Sequence, residues 1–170
     1  MTAKSKEKYT VARLNADMKN GEISPLYLFY GPEDFLIEGW IKSILKNSLQ
    51  PGDEDFNLDI LYGNETDGAS IVNVAMSFPM MAERRLVIVK EFHHLKEKCI
   101  KLISTYIQKP SVTSCLVLAS SKFTSTNAVI KSWSKLCPSL EAKPLYDNHV
   151  PPWIRSHVKE RGLTIADDAI

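Results

Sequence analysis

Residues 74–90 have the sequence Val-Ala-Met-Ser-Phe-Pro-Met-Met-Ala-Glu-Arg-Arg-Leu-Val-Ile-Val-Lys. The first part predicts a short apolar helix that ends at Phe78-Pro79, because a proline disfavours helical backbone in the residue before it. Leu86 to Val89 are consecutive apolar residues, mostly β-branched, with charge on either side. Such a run predicts a strand that is buried on both faces, as in a parallel sheet.

Two methionines, Met80 and Met81, lie between this helix and this strand. A turn is an unusual place for two flexible apolar side chains unless they pack under a neighbouring element or contact a partner. The residues alone leave both explanations open. Met80 and Met81 either pack under the adjacent helix or form an exposed interaction site.

The composition is that of an ordinary globular chain, with 170 residues of which 44% are hydrophobic and 24% charged. Its 21 basic and 20 acidic residues give a formal net charge of +1, so a nucleic-acid contact would need a local basic patch.

The polar N-terminus lacks the apolar core of a signal peptide, and no apolar run approaches the roughly 20 residues of a membrane helix. Cys99, Cys115 and Cys137 are widely spaced, which favours buried thiols over a disulfide framework. We therefore expect a cytoplasmic protein without a membrane segment.

The rest of the chain alternates between short apolar strands and amphipathic helices. Besides residues 86–89, the pattern predicts strands at residues 26–30, 56–62, 115–119 and 140–144. It predicts helices at residues 9–20, 34–49, 70–77, 96–108 and 127–136. This alternation predicts an α/β fold in which a parallel sheet lies between helices on both faces, a three-layer architecture.

The character of the sequence changes near residue 146. Prolines in its first turn favour a helix from residue 150 to Gly162, and Thr164 is a plausible N-cap for a second helix over residues 163–170. Two helices cannot enclose a core of their own. We therefore expect an α/β domain over residues 1–145 and, over residues 146–170, the start of a helical domain whose remainder is absent from this chain.

Gly31 follows the first strand, where a phosphate-binding loop of the form GxxxxGK[ST] would lie. In such a loop the glycines let backbone N–H groups cradle phosphates and the lysine neutralises their charge. Counted from Gly31, the last three motif positions hold Leu36, Ile37 and Glu38, so the second glycine and the cation are both missing. Acidic residues at the start of the helix would repel a triphosphate. The sequence predicts a degenerate loop that binds no nucleotide cofactor.

Other arrangements that carry chemistry are also incomplete. Lys90-Glu91 follows the central strand, and one acid beside a lysine is a poor magnesium site. His93, His94 and Cys99 are three potential zinc ligands, but they have no fourth ligand nearby and do not have the spacing of a zinc site. Ser120, Ser121 and Ser125 lie in no GxSxG pattern and have no paired base in the sequence. We therefore predict no catalytic residue and no metal site.

Four segments carry a family resemblance, in the same order and spacing. They are residues 27–36, which end in Gly-Pro-Glu-Asp-Phe-Leu; residues 78–87; residues 116–118 followed by Lys122; and residues 153–154 followed by residues 162–165. In this order they resemble the delta subunit of the bacterial DNA polymerase III clamp loader, a family of the AAA+ superfamily. The resemblance extends over about the whole chain and implies an AAA+-like domain followed by the start of a small helical lid domain. By position, Lys122 follows the strand on which active AAA+ ATPases carry sensor 1.

The resemblance also implies a mechanism. Delta subunits open the sliding clamp without hydrolysing ATP, by inserting a two-residue apolar wedge into a hydrophobic pocket of the clamp. By position, Met80 and Met81 would be that wedge and Phe78 and Pro79 would flank it. The family often has Phe or Leu here, so methionine is a departure, although it fits irregular apolar pockets.

The partners implied by the resemblance are the sliding clamp (beta subunit) and the gamma/tau and delta prime subunits of the loader. Primed DNA would be reached only within that complex. The chain itself would be non-catalytic, although it would belong to a DNA-directed DNA polymerase, a nucleotidyltransferase. Two alternatives remain: an active P-loop NTPase, against which Leu36, Ile37 and Glu38 argue, and an unrelated α/β interaction domain.

Overall fold

The computed structural model describes residues 8–144, 150–160, 162–166 and 169. The strands are β1 (Leu26–Tyr30), β2 (Leu58–Tyr62), β3 (Arg85–Lys90), β4 (Ser114–Ser120) and β5 (Ser139–Glu141). The helices are α1 (Val11–Lys19), α2 (Asp34–Ser48), α3 (Glu54–Asn57), α4 (Gly68–Met76), α5 (Glu97–Gln108), α6 (Ala128–Trp133) and α7 (Val150–Glu160), with a 3-10 helix at Phe92–His94.

The five strands form one parallel sheet in the order β2-β3-β4-β1-β5. All five residues of β1 are buried, and they alternate between two apolar clusters on opposite faces of the sheet. Leu28 packs in the cluster that contains residues of α4, α5 and α6, whereas Phe29 packs in the cluster that contains residues of α1 and α2. The predicted three-layer α/β architecture is confirmed.

One predicted strand begins too early. Residues 54–57 form the short helix α3, and β2 starts only at Leu58. The carbonyl oxygen of Asp53 accepts hydrogen bonds from the backbone N–H of Asn57 (3.0 Å) and from its side-chain Nδ2 (3.2 Å). Such local bonds compete with the strand ladder, so they override the apolar alternation that predicted a strand. The strand predicted at 140–144 is also displaced, since β5 ends at Glu141.

Helix α7 is confirmed, and it contacts the start of α2 through the rings of Trp153 and Phe35, whose centroids lie 5.7 Å apart. It ends in a Schellman motif, because Gly162 N–H donates to Lys159 O (3.0 Å) and Leu163 N–H to Val158 O (3.1 Å).

The helix predicted over residues 163–170 is wrong over residues 163–166, which have no regular structure and include the predicted cap Thr164. Leu163 is bonded back to α7, so it does not enter a new helix. Of the remaining four residues, the structure describes only Ala169. The domain boundary expected at 145–146 lies outside the described residues, and the two-domain division stays a prediction.

The predicted burial of thiols holds for Cys99 and Cys115, whereas Cys137 is half-buried, and none of the three forms a disulfide. Burial raises the pKa of the Cys115 thiol from 9.0 to about 12. Between these values the unfolded chain loses a proton that the folded chain keeps, so the stability from this group falls as the pH rises through that window.

We expect iodoacetamide at pH 8 to alkylate Cys137 first and to reach Cys99 and Cys115 only when the chain unfolds. The reason is that the reactive species is an accessible thiolate, which the buried thiols do not provide. Peptide mass spectrometry after timed labelling measures this order. Rapid native-state labelling of Cys115 would contradict it, and labelling in denaturant provides the control for reagent activity.

Candidate protein-interaction site

Exposed apolar side chains gather where three neighbouring strands begin. Phe56 precedes β2, Phe78, Met80 and Met81 precede β3, and Val112 precedes β4, and all five are exposed. Because β2, β3 and β4 are parallel neighbours, the loops before them lie at the same end of the sheet. We call these five residues the amino-end patch. Several large apolar side chains exposed at one end of a sheet are typical of an interaction surface.

Hydrogen bonds join the three loops of this patch. The side chain of Asn57, the last residue of α3 and the residue directly before β2, bonds to the backbone of Met80. Arg85 N–H, at the start of β3, donates to Thr113 O in the loop before β4, at 2.9 Å. The amino-end patch is therefore carried on loops that are tied to one another.

The structure decides between the two explanations for the methionines. The side chain of Met80 is 60% exposed, and Met81 is fully exposed. Phe78 is 83% exposed, and Pro79 between them is half-buried. The explanation that Met80 and Met81 pack under the adjacent helix is wrong.

The turn is ordered although its side chains are exposed. Met80 N–H donates to Asn57 Oδ1 at 2.6 Å, and Asn57 Nδ2 donates to Met80 O at 2.9 Å. Met81 has a φ of +54°, in the left-handed region that disfavours a residue with a Cβ by about 1–2 kcal/mol. Sequence reasoning missed Asn57. The signal that could have found it is an asparagine inside an apparent strand that is expected to be buried. A buried side-chain amide requires hydrogen-bond partners.

The arginines after the methionines are bound within the fold. Arg85 Nε and Nη2 each lie 2.8 Å from Asp59 Oδ2 on the neighbouring strand β2. Arg84 Nη1 donates to Ile23 O at 3.3 Å. Arg85 therefore begins the strand and pairs with an acid of its neighbour, whereas Arg84 contacts a carbonyl oxygen.

At the other end of the sheet, the backbone donors at the start of the nucleotide-loop position, Gly31 and Glu33, are engaged within the fold. Gly31 N–H donates to Ser120 O at 3.1 Å, Pro32 has no N–H, and Glu33 N–H donates to Ala142 O at 3.4 Å. A phosphate-binding loop needs these groups to point at the ligand. Here they bond to protein carbonyl oxygens instead.

The three residues that replace the end of the P-loop motif have structural contacts. Ile37, at the position of the lysine, is buried in the cluster with Trp40, and Leu36 is half-buried beside it. Glu38 Oε1 lies 2.6 Å from Lys90 Nζ, the residue that ends β3. The side chain of Lys90 is therefore paired with an acid of α2.

One contact was not expected from the sequence. His93 Nδ1 lies 3.0 Å from Ser120 Oγ, so Ser120 does have a neighbouring base, and the prediction of none is wrong. Burial, together with the adjacent His94, lowers the pKa of His93. Ser120 is itself buried, so a substrate cannot reach its hydroxyl oxygen. We interpret the pair as a contact that joins β4 to the 3-10 helix.

Within the described part of the chain, no group of three or more His, Cys, Asp or Glu side chains has the arrangement of a metal site. Over the same residues, no helix has both the length and the apolar character needed to cross a membrane.

The parallel sheet, the loop after β1 and the amino-end patch define an AAA+-like α/β domain with an exposed apolar turn. Residues 27–143 match the family described as DNA polymerase III, delta subunit. The DNA polymerase III subunit delta of Bacillus subtilis (strain 168) is 30% identical over 162 residues, which cover 89% of this chain and 47% of that protein. This chain belongs to the DNA polymerase III delta subunit family.

Solved structures agree with this assignment. The DNA clamp loader delta protein of Bacillus subtilis matches with a TM-score of 0.77 at 28% identity, over 94% of this chain and 50% of that one. The chain thus spans about half the length of the relatives that it matches.

More distant structures share the fold alone. A DNA polymerase III gamma subunit-related protein from Thermotoga maritima has a TM-score of 0.57 at 12% identity, over 84% of this chain and 49% of its own. The RuvB Holliday junction branch migration motor of the same organism has a TM-score of 0.51 at 15% identity, over 91% of this chain and 49% of its own. The predicted AAA+-like fold is confirmed.

Proposed function

We propose that this chain acts as the clamp-binding part of a clamp-loader delta subunit, and that Met80 and Met81 are the wedge that enters the sliding clamp. The observation that carries the proposal is the exposure of both side chains on a turn whose backbone is hydrogen-bonded to the fold. Because both side chains are exposed on an ordered turn, they make little contact with the rest of their own fold. They are therefore available to a partner.

The mechanism is a shift in the population of ring conformations. Burying one methionine side chain contributes about 1.5–3 kcal/mol, so both together contribute at most ~3–6 kcal/mol before the entropic cost of association. If the pocket is more accessible when a ring interface is open, the wedge binds the open ring better and shifts the equilibrium towards it. No covalent step is required of this chain.

The same proposal extends to the partners. The clamp is the beta subunit, and the gamma/tau and delta prime subunits are the neighbours in the loader, which acts in the cytoplasm. Primed DNA is contacted only within that complex, because a net charge of +1 provides no general attraction for the phosphate backbone. Hydrolysis of ATP belongs to other subunits.

ATP with magnesium is expected to leave the melting temperature of this chain unchanged up to millimolar concentration. The N–H groups of Gly31 and Glu33 are engaged with protein carbonyl oxygens, and Ile37 replaces the phosphate-binding cation. A ligand at about 100 times its Kd would raise stability by ~2.7 kcal/mol, which a thermal melt detects readily. A P-loop ATPase measured alongside is the positive control, and a saturable upward shift for this chain would favour the NTPase alternative.

Surface plasmon resonance against the immobilised cognate clamp tests the proposal directly. We expect saturable binding by the folded chain. A clamp that carries a fluorophore pair across one ring interface should also lose its proximity signal when the chain is added, which separates opening from binding. No binding by a chain that circular dichroism shows to be folded would favour an unrelated α/β interaction domain.

A further inference from the structure

Asn57 is a buried amide whose hydrogen bonds hold the methionine turn. Its Oδ1 accepts from Met80 N–H at 2.6 Å, and its Nδ2 donates to Met80 O at 2.9 Å and to Asp53 O at 3.2 Å. The side chain uses both of its donor hydrogens and one acceptor position, and the residue is fully buried. A buried amide with these partners is satisfied, and leaving it unpaired would be unfavourable.

The partners of this amide are informative. Asn57 ends α3, and Met80 lies 23 residues further along the chain, in the exposed turn before β3. A side chain that served only its own local segment would bond to Asp53 and to no distant group. Instead the amide bonds to both backbone polar groups of Met80, which fixes the position and the direction of that peptide segment.

We propose that Asn57 is the positioning residue of the wedge: it holds the Met80 backbone so that both methionines already project outward before the clamp binds. Ordering a loop on binding weakens affinity, and a loop that is ordered beforehand avoids that penalty. The left-handed backbone of Met81 agrees with this role, because such a conformation persists only where the surroundings enforce it. The inference rests on the proposed function for the identity of the partner, but the anchoring of the turn can be tested without the clamp.

Hydrogen exchange at the Met80 amide is the first readout. Met80 is exposed, so without Asn57 its N–H would exchange freely; with the bond to a buried acceptor we expect protection of at least about tenfold in the parent chain. In Asn57→Ala this protection should disappear while the amides of β3 and β4 stay protected. An unprotected Met80 amide in the parent overturns the proposal and requires no variant to fold. If Asn57→Ala does not fold, Asn57→Ser, whose side chain is too short to bridge both groups, takes its place with the same expectation.

Clamp affinity is the second readout. We expect Asn57→Ala to weaken binding about tenfold, or ~1.4 kcal/mol, although both methionines are still present. In the Met80→Ala, Met81→Ala background the same change should have little further effect, because there is no wedge left to position. A double-mutant cycle that shows independent effects would overturn the proposal.

Asn127→Ala is the matched control. Asn127 also uses its amide to bind backbone, since its Oδ1 accepts from Val129 N–H at 2.9 Å and from Ile130 N–H at 3.4 Å at the start of α6. Its loss destabilises the fold at the other end of the sheet, so we expect normal Met80 protection and normal clamp affinity. Equal loss of affinity in both asparagine variants would mean that Asn57 acts through stability alone.

The outcomes separate the two proposals. Absence of clamp binding by the parent chain overturns the proposed function, and with it this role for Asn57. Normal binding by Asn57→Ala, with loss of binding in the double methionine variant, overturns the positioning role alone.

Discussion

We expect clamp affinity to fall at least tenfold, about 1.4 kcal/mol, when Met80 and Met81 are both replaced by alanine. This lower bound is well below the ~3–6 kcal/mol that full burial of both side chains would contribute, because alanine keeps its Cβ and the clamp pocket need not enclose each methionine fully. Residues that contribute this much are typical of the few side chains that dominate an interface. Surface plasmon resonance with equal amounts of folded protein measures the difference.

Leu163→Ala is the control for this experiment, because Leu163 is 62% exposed, close to the 60% of Met80, but lies after α7. We expect its clamp affinity to match that of the parent chain.

The single variants separate the contributions of the two methionines to clamp affinity. We expect Met81→Ala to have the larger effect, since the whole side chain of Met81 is open to a partner. Unchanged binding by the double variant would leave the family assignment intact and place the contact elsewhere on the amino-end patch.

Gly31→Ala lowers the free energy of unfolding by about 3 kcal/mol, the sum expected from an unfavourable backbone conformation and a steric clash. Gly31 has a φ of +120°, which L side chains rarely adopt, and a Cβ there would lie 2.3 Å from Ala142 O and 2.8 Å from Ala142 N. These atoms belong to the backbone just after β5, so they cannot rotate away as a side chain would. Urea denaturation followed by circular dichroism measures the loss.

Gly39→Ala provides the opposite result as a control. Gly39 lies inside α2, and a Cβ there would meet nothing within 4 Å. Alanine in an open helical position is expected to raise stability by about 0.5–1 kcal/mol. If Gly31→Ala were as stable as the parent, the close approach of the loop to Ala142 would be wrong, and the glycine would instead be available for a ligand.

Much of the fold was predictable because it depends on local patterns. The run Leu86 to Val89 and the buried residues of β1 predicted strands with two covered faces, and both are confirmed. The prediction failed at residues 56–57 because the backbone N–H of Asn57 donates to Asp53 O within a helical turn, while its side-chain amide bonds to Asp53 and Met80. The hydrogen bonds of Asn57 therefore account both for the wrong strand prediction and for the role that we propose for this residue.

By itself the sequence determined the α/β class, the degenerate loop after β1 and the presence of an apolar pair in the turn before β3, since these depend on residue type and spacing. Only the tertiary structure decided that Met80 and Met81 point into solvent, that Asn57 holds their turn, and that the loop N–H groups of Gly31 and Glu33 are bonded to the fold. The physical reason is that exposure and hydrogen bonds between distant segments are set by how the elements pack. A pattern read along the chain carries no information about which backbone group a buried amide will meet 23 residues away.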